Sequence, residues 1–226
     1  MFVTDVYFYN GKAIDCLPCA VQVTKQLDTL ETLIVVPYRN ETPNLTCLPG
    51  AKLYADLLLD TTKPRYESFP FAHPLYIMYS SGTTDAPKCI VHGVGGTLIQ
   101  HKKEHLLHCD IKAGDSVFYF TTTGWMMWNW LVSALASGAK LILFDGSPFH
   151  PDPGILWRIA EREHLTLFGT SAKYLSALEK TGYKPRENVS LENLSSVLST
   201  GSPLAPSSYD FVYENVKQDL QLSSVA

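Results

Sequence analysis

Tyr79-Ser80-Ser81-Gly82-Thr83-Thr84-Asp85-Ala86-Pro87-Lys88 joins two apolar runs, 74–79 and 89–92, each short enough to be a buried strand. The residues between those runs predict a tight loop made of small hydroxyl side chains, one glycine and one lysine. Small residues let backbone N–H groups approach an anion, hydroxyls add neutral donors, and a lysine at the loop's end supplies a compact charge that can follow phosphate oxygens during reaction. The same composition suits a plain Ser/Thr-rich hairpin turn. This is not the GxxxxGK[ST] nucleotide loop, because 79–88 holds no Gly-Lys pair and Lys88 follows Pro87.

Outward from this loop, short apolar runs alternate with amphipathic stretches. Strands are predicted over 33–36, 75–79, 116–120, 140–144, 165–168 and 196–198, and helices over 18–30, 96–108, 125–137, 153–164, 172–181 and 206–216. This alternation predicts an α/β fold, a mostly parallel sheet flanked by helices. Ligands gather at strand ends in such sheets, so the post-strand loops 121–125, 169–173 and 200–203 carry the functional candidates. Residues 38–74, rich in Pro, Thr and Asn, read as a connecting segment with a short helix over 54–59.

Composition sets further limits. The 226 residues, 46% hydrophobic and 18% charged, suffice for a substantial core in one large or two small domains. A net charge of −4 with scattered lysines and arginines gives no electrostatic reason to expect nucleic acid or an anionic membrane as partner. Met1-Phe2-Val3-Thr4-Asp5 has neither the basic region nor the apolar core of a signal or transit peptide. The longest apolar stretch, 125–136, is interrupted by Asn129 and Ser133 and is too short to span a bilayer. The expectation is a soluble cytosolic protein with no membrane insertion, its oligomeric state left open.

Two motifs suggest other chemistry. Cys16-Leu17-Pro18-Cys19 has the C-x-P-C shape of a thiol redox site behind a strand-like stretch at 3–9, but the gap is too long and no tryptophan flanks it. As a zinc half-site it lacks a second pair, since Cys47, Cys89 and Cys109 are isolated. Pro18 suits the first turn of an amphipathic helix, with the cysteines as reduced packing residues. His101-Lys102-Lys103-Glu104-His105, continuing to His108, matches the HxxEH spacing of a zinc protease class, and on a helix His101, Glu104, His105 and His108 share one face. No downstream helix offers an obvious third ligand, although Glu161 and Glu163 fit by spacing. The competing reading is a solvated, charged face with Leu98, Ile99, Leu106 and Leu107 on the buried side. No metal-ligating residue is assigned.

In its order of aromatic, hydroxyl, glycine, proline and lysine positions, the 79–88 loop resembles the signature of the acyl-adenylate-forming superfamily, the AMP-dependent synthetases and ligases. Nine of its ten places agree, and Asp85 stands where that signature has glycine. Within the superfamily, Gly95-Gly96-Thr97-Leu98-Ile99-Gln100-His101 to His108, Thr123-Gly124-Trp125-Met126-Met127-Trp128-Asn129-Trp130 and Ser199-Thr200-Gly201-Ser202-Pro203-Leu204 resemble the acetoacetyl-CoA synthetases, as do Tyr9-Asn10-Gly11-Lys12 and Phe71-Ala72-His73-Pro74-Leu75. The resemblance covers nearly the whole chain.

It implies that residues 1–226 are part of a large N-terminal adenylation (AMP-binding) domain, with 38–74 a connecting segment within it. It implies that Ser80, Ser81, Gly82, Thr83, Thr84 and Lys88 hold the phosphates of ATP, Lys88 being the catalytic contact. Gly201, Ser202 and Pro203 would lie against adenine, and Trp125 and Thr170 would shape the acid pocket. A plain turn at 200–203 and a helix N-cap at Thr170 or Ser171 remain open readings. The implied substrates are acetoacetate, ATP and coenzyme A, with Mg2+, for a ligase of lipid metabolism. Members of that family are longer: a Thr-Glu magnesium motif, a ribose-binding aspartate and a mobile C-terminal domain with a catalytic lysine follow the adenine loop, and none is found here. The chain is therefore expected to be a truncated, internal piece. The alternative is a noncatalytic nucleotide-binding remnant or regulatory short form.

Overall fold

The computed structural model describes residues 1–58, 63–80 and 87–225. The chain divides into two compact units, Met1–Tyr66 with Asp145–Pro151, and Glu67–Phe144 with Asp152–Ala226.

The first unit begins with β1 (Phe2–Thr4), β2 (Val6–Tyr9) and β3 (Lys12–Asp15), followed by α1 (Leu17–Thr24), β4 (Ile34–Val36) and β5 (Lys52–Leu53). The strand-like stretch at 3–9 is broken at Asp5, whose buried carboxylate accepts N–H groups of Tyr38 (2.6 Å), Arg39 and Asn40 (both 3.4 Å). Desolvation opposes the charge, but the backbone donors of Tyr38, Asn40 and Arg39 outweigh it and hold this carboxyl below its ordinary range. Beyond the break, β2 and β3 pair as an antiparallel hairpin that turns through Asn10 and Gly11, both at positive φ (50° and 75°), as a two-residue hairpin turn requires. Strands β1, β4 and β5 form a parallel sheet packed on Ala20, Leu33, Val35 and Leu48. Proline opens α1 as expected, and Cys16 and Cys19 are free thiols. The helix stops at Thr24 rather than near 30: the Thr24 hydroxyl bonds back to Val21 O, and the N–H groups of Gln26 and Leu27 reach only three residues back. In the connecting segment, β5 leads into a 3-10 turn at Tyr54–Leu57.

The second unit opens with an antiparallel hairpin of β6 (Pro74–Tyr79) and β7 (Cys89–Gly93). Helix α2 (Val94–Lys103) then runs into a π turn at Glu104–His108. After β8 (Ser116–Tyr119) come α3 (Met126–Ser133), which tightens into a 3-10 turn at Ala134–Ser137, and β9 (Lys140–Ile142). The remainder is α4 (Ile155–Arg162), β10 (Leu167–Ser171), α5 (Ala172–Thr181), the short α6 (Pro185–Asn188), β11 (Ser196–Thr200), α7 (Pro206–Asn215) and β12 (Gln221–Ser224). Five strands make an all-parallel sheet in the order β12-β11-β10-β8-β9. On one face Val117, Tyr119, Leu167 and Leu198 pack with Trp130, Leu131 and Ala134. Alternation turns Phe118 and Phe168 to the other face, where Phe168 stacks on Trp157 at 4.5 Å and 9°. The α/β architecture with a parallel sheet flanked by helices is as read from the sequence. Strand β12 is not: Gln221-Leu222-Ser223-Ser224 has one apolar residue, and it is a strand because Leu222 pairs with Val197.

Candidate active site

The phosphate-loop candidates Ser81, Gly82, Thr83 and Thr84, with Asp85, lie outside the described residues. The two feet of the loop are defined. Beyond the last ladder pair, Tyr79 with Cys89, the Ser80 N–H donates to Lys88 O at 2.9 Å and the Lys88 N–H donates to Ser80 Oγ at 3.2 Å. Lys88 is exposed, and its ammonium makes no ion pair among the described residues.

At the end of β11, Gly201 takes φ +87°, a conformation glycine adopts without cost. The exposed Ser202 and Pro203 border a groove of about 370 Å³ between α5 and α7, with Lys173, Lys180 and the buried Ser208. Thr170 is fully enclosed. Its hydroxyl and that of its register neighbour Ser199 have no hydrogen-bond partner among the described residues.

A cavity of about 750 Å³ is walled by His101 and Glu104, by Met126, Met127 and Trp130 of α3, and by Ser224 of β12. Trp125, expected to shape an acid pocket, is 62% exposed and does not line this cavity, and neither does Thr170. A tryptophan at the N-cap of α3 points its successors, not itself, into the wall. The methionines and His101 sit inside motifs already conspicuous in the sequence, 123–130 and 101–108, but only packing shows which of their faces turns inward.

That packing reverses the predicted polarity of the second helix. His101 is 4% exposed and His105 fully buried, while Leu98, Ile99, Leu106 and Leu107 are exposed. Buried imidazoles are tolerated when their nitrogens find partners, and α3 with the turn after it supplies one to His101 Nδ1 and to both nitrogens of His105. The Trp130 indole N–H donates to Glu104 at 2.9 Å. The His105 Nε2 lies 3.2 Å from Trp130 O; a carbonyl only accepts, so this nitrogen carries the proton, and Nδ1 accepts from Ser137 Oγ at 3.4 Å. Ser133 Oγ lies 2.7 Å from Trp130 O and 2.8 Å from His101 Nδ1. Burial pushes the His101 pKa down and that of His105 to about 4, so both rings are neutral at pH 7. Cys109, half-buried, caps the C-terminal end of the π turn, and burial pushes its thiol up to about 11. Glu104 is taken by Trp130 and Gln100, and among the described residues no group of three His, Cys, Asp or Glu side chains could hold a metal ion. The zinc-protease arrangement is thus a buried hydrogen-bond network joining α2 to α3.

Residues 6–223 match the AMP-binding enzyme family, and the chain belongs to it. The acetoacetyl-CoA synthetase of Gallus gallus is 46% identical over 233 residues, covering 100% of this chain and 35% of that protein. The malonamoyl-CoA synthetase of Penicillium aethiopicum is 39% identical over 248 residues, covering 100% and 34%. The structure of acetoacetyl-CoA synthetase from Streptomyces lividans is similar with a TM-score of 0.89 at 41% identity, over 99% of this chain and 34% of that one. The chain spans about a third of the length of the relatives it matches. No helix of the described residues is long and apolar enough to cross a membrane.

Proposed function

We propose that this chain is part of the adenylation domain of an acetoacetate–CoA ligase that works in cytosolic lipid metabolism. The observation that supports this most is the 46% identity to an acetoacetyl-CoA synthetase over the entire chain rather than at one motif. A carboxylate is a poor electrophile, so the acid oxygen first attacks the α-phosphate of ATP and pyrophosphate leaves. The thiol of coenzyme A then attacks the acyl carbon and AMP leaves. In this scheme Lys88, at the foot of its loop, offsets charge on the departing phosphates together with the loop residues Ser80, Ser81, Gly82, Thr83 and Thr84. Gly201, Ser202 and Pro203 flank the adenine, and the cavity walled by Met126 and Met127 receives the acid. Magnesium accompanies ATP in this reading, but no cluster among the described residues fits it, so no residue is assigned to it and no step runs through it. The partners are small molecules, with no nucleic acid and no membrane insertion.

The test is calorimetric titration of the purified chain with ATP and with a non-hydrolysable acetoacetyl-adenylate analogue. Saturable binding of the analogue, tighter than that of ATP, is expected. Binding of ATP alone would favour the second reading, a noncatalytic nucleotide-binding protein. Binding of neither would overturn both.

A further inference from the structure

The groove between α5 and α7, about 370 Å³, has no carboxylate on its wall. Lys173 and Lys180 stand on its α5 side, two turns apart and so about 10 Å along the helix axis. Both are exposed, and neither ammonium makes an ion pair or a hydrogen bond among the described residues. Lys112, Lys140 and Lys184, by contrast, each reach a carboxylate, at 2.9, 2.9 and 3.1 Å. The charge of the two groove lysines is therefore not neutralised from within the chain, and their flexible stems can bring both ammonium groups to one point between them.

The α7 side adds neutral donors. Ser208 lies on the groove wall at 1% exposure, and its hydroxyl has no hydrogen-bond partner among the described residues. A buried hydroxyl left without a partner is destabilising, and an acceptor brought by a ligand removes that penalty. The helix start beside it is uncapped: Ala205 at the N-cap has no polar side-chain atom and Pro206 has no N–H, so the positive end of α7 is left open. The start of α5 is closed instead by Ser171, whose Oγ accepts the Tyr174 N–H at 3.2 Å. Ser176 and Ser202 complete the polar wall.

Two ammonium groups, hydroxyls from facing elements and an open helix start, with no acidic group among them, form a donor set for an anion. A phosphoryl group suits it better than a carboxylate, because three terminal oxygens accept from several directions while a carboxylate's two lie in one plane. We propose that the α5–α7 groove is a binding site for a phosphoryl group, with Lys173, Lys180 and Ser208 donating to its oxygens. The groove shares no residue with the 79–88 loop or with the cavity walled by Met126 and Met127, and only Ser202 and Pro203 with the turn at 200–203. Its occupancy is thus a separate matter from the reading of those sites. The 3′-phosphate of coenzyme A and free inorganic phosphate both present this group.

The experiment is an amide NMR titration of the full chain, read at Ser207 and Tyr209, with inorganic phosphate, coenzyme A, dephospho-coenzyme A and acetate. Saturable shifts are expected with phosphate, and about tenfold weaker binding of acetate. The double variant Lys173→Gln/Lys180→Gln, altered only at exposed side chains, is expected to weaken phosphate binding about tenfold and Ser208→Ala about threefold. Lys88→Ala is expected to leave these shifts unchanged. Coenzyme A binding about tenfold more tightly than dephospho-coenzyme A would identify the 3′-phosphate as the occupant; equal binding of those two, with phosphate still bound, would identify free phosphate. The site would be overturned by no shift with any phosphate-bearing probe, by acetate binding as tightly as phosphate, or by undiminished affinity in the lysine double variant. An equal loss in Lys88→Ala would also overturn it, and would assign the phosphate to the 79–88 loop instead.

Discussion

Lys88 stands at the foot of its loop with no ion pair among the described residues, whereas Lys102, nearby in sequence, donates to Ala136 O at 2.8 Å and ties α2 to the turn that follows α3. Replacing Lys88 by alanine is therefore expected to weaken ATP binding clearly, and Lys102→Ala to leave it unchanged; calorimetry on both variants checks the contrast, and equal effects would refute it. Gly201 illustrates a different constraint. At φ +87° a Cβ meets the backbone of its own residue, not a neighbour, since nothing lies within 4 Å of the site. Gly201→Ala should thus lower stability by about 1–2 kcal/mol, read as a lower denaturant midpoint at unchanged slope.

Between α2 and α3 the interaction is polar, and it titrates. The unfolded chain takes a proton at His105 near pH 6.5, the folded chain only near 4, so the unfolded state binds more protons between those values. Stability should then be complete above pH 6.5 and fall as the pH drops towards 4, by up to about 3 kcal/mol from this ring, with His101 acting in the same direction. Thermal melts from pH 7.5 to 4.5 measure the slope, and His105→Phe should flatten it. This pair of elements also marks the limit of what could be read from the sequence. Helices α5 and α7 fall within a residue of their predicted spans because apolar periodicity and a terminal Ser or Pro both signal them. The α/β alternation was legible for the same reason. In α2 the periodicity was present but its sense was not: leucines are assumed inward unless something pays for burying imidazoles, and that compensation comes from Trp130, Ser133 and Ser137, some thirty positions away. The cavity shares this origin, so Met126 and Met127 could be seen in the sequence as a motif but not as a wall.

Across the whole molecule, the 226 residues correspond to about a third of the relatives' length. The isolated chain is expected to release no pyrophosphate above background from acetoacetate and magnesium ATP, because holding the reacting phosphate in attack geometry supplies most of the rate enhancement. Turnover comparable to a full-length synthetase would refute this. Its β6–β7 hairpin exposes Leu75, Ile77, Tyr79, Ile90 and Val91, so concentration-dependent self-association by light scattering is the accompanying expectation.

The division of the chain carries a consequence for its birth on the ribosome. The first unit is not contiguous: it recruits Asp145–Pro151, whose His150 ring would lie 2.9 Å from a Cβ at Gly11 in the hairpin turn, and whose Asp145 bonds the Tyr38 hydroxyl. At ordinary elongation rates those residues are synthesised about 4–16 s after Tyr66. The N-terminal strands must therefore wait, paired but unfinished, while most of the parallel sheet's first half is made, and translation speed across 67–144 becomes a variable in how cleanly the nascent chain folds.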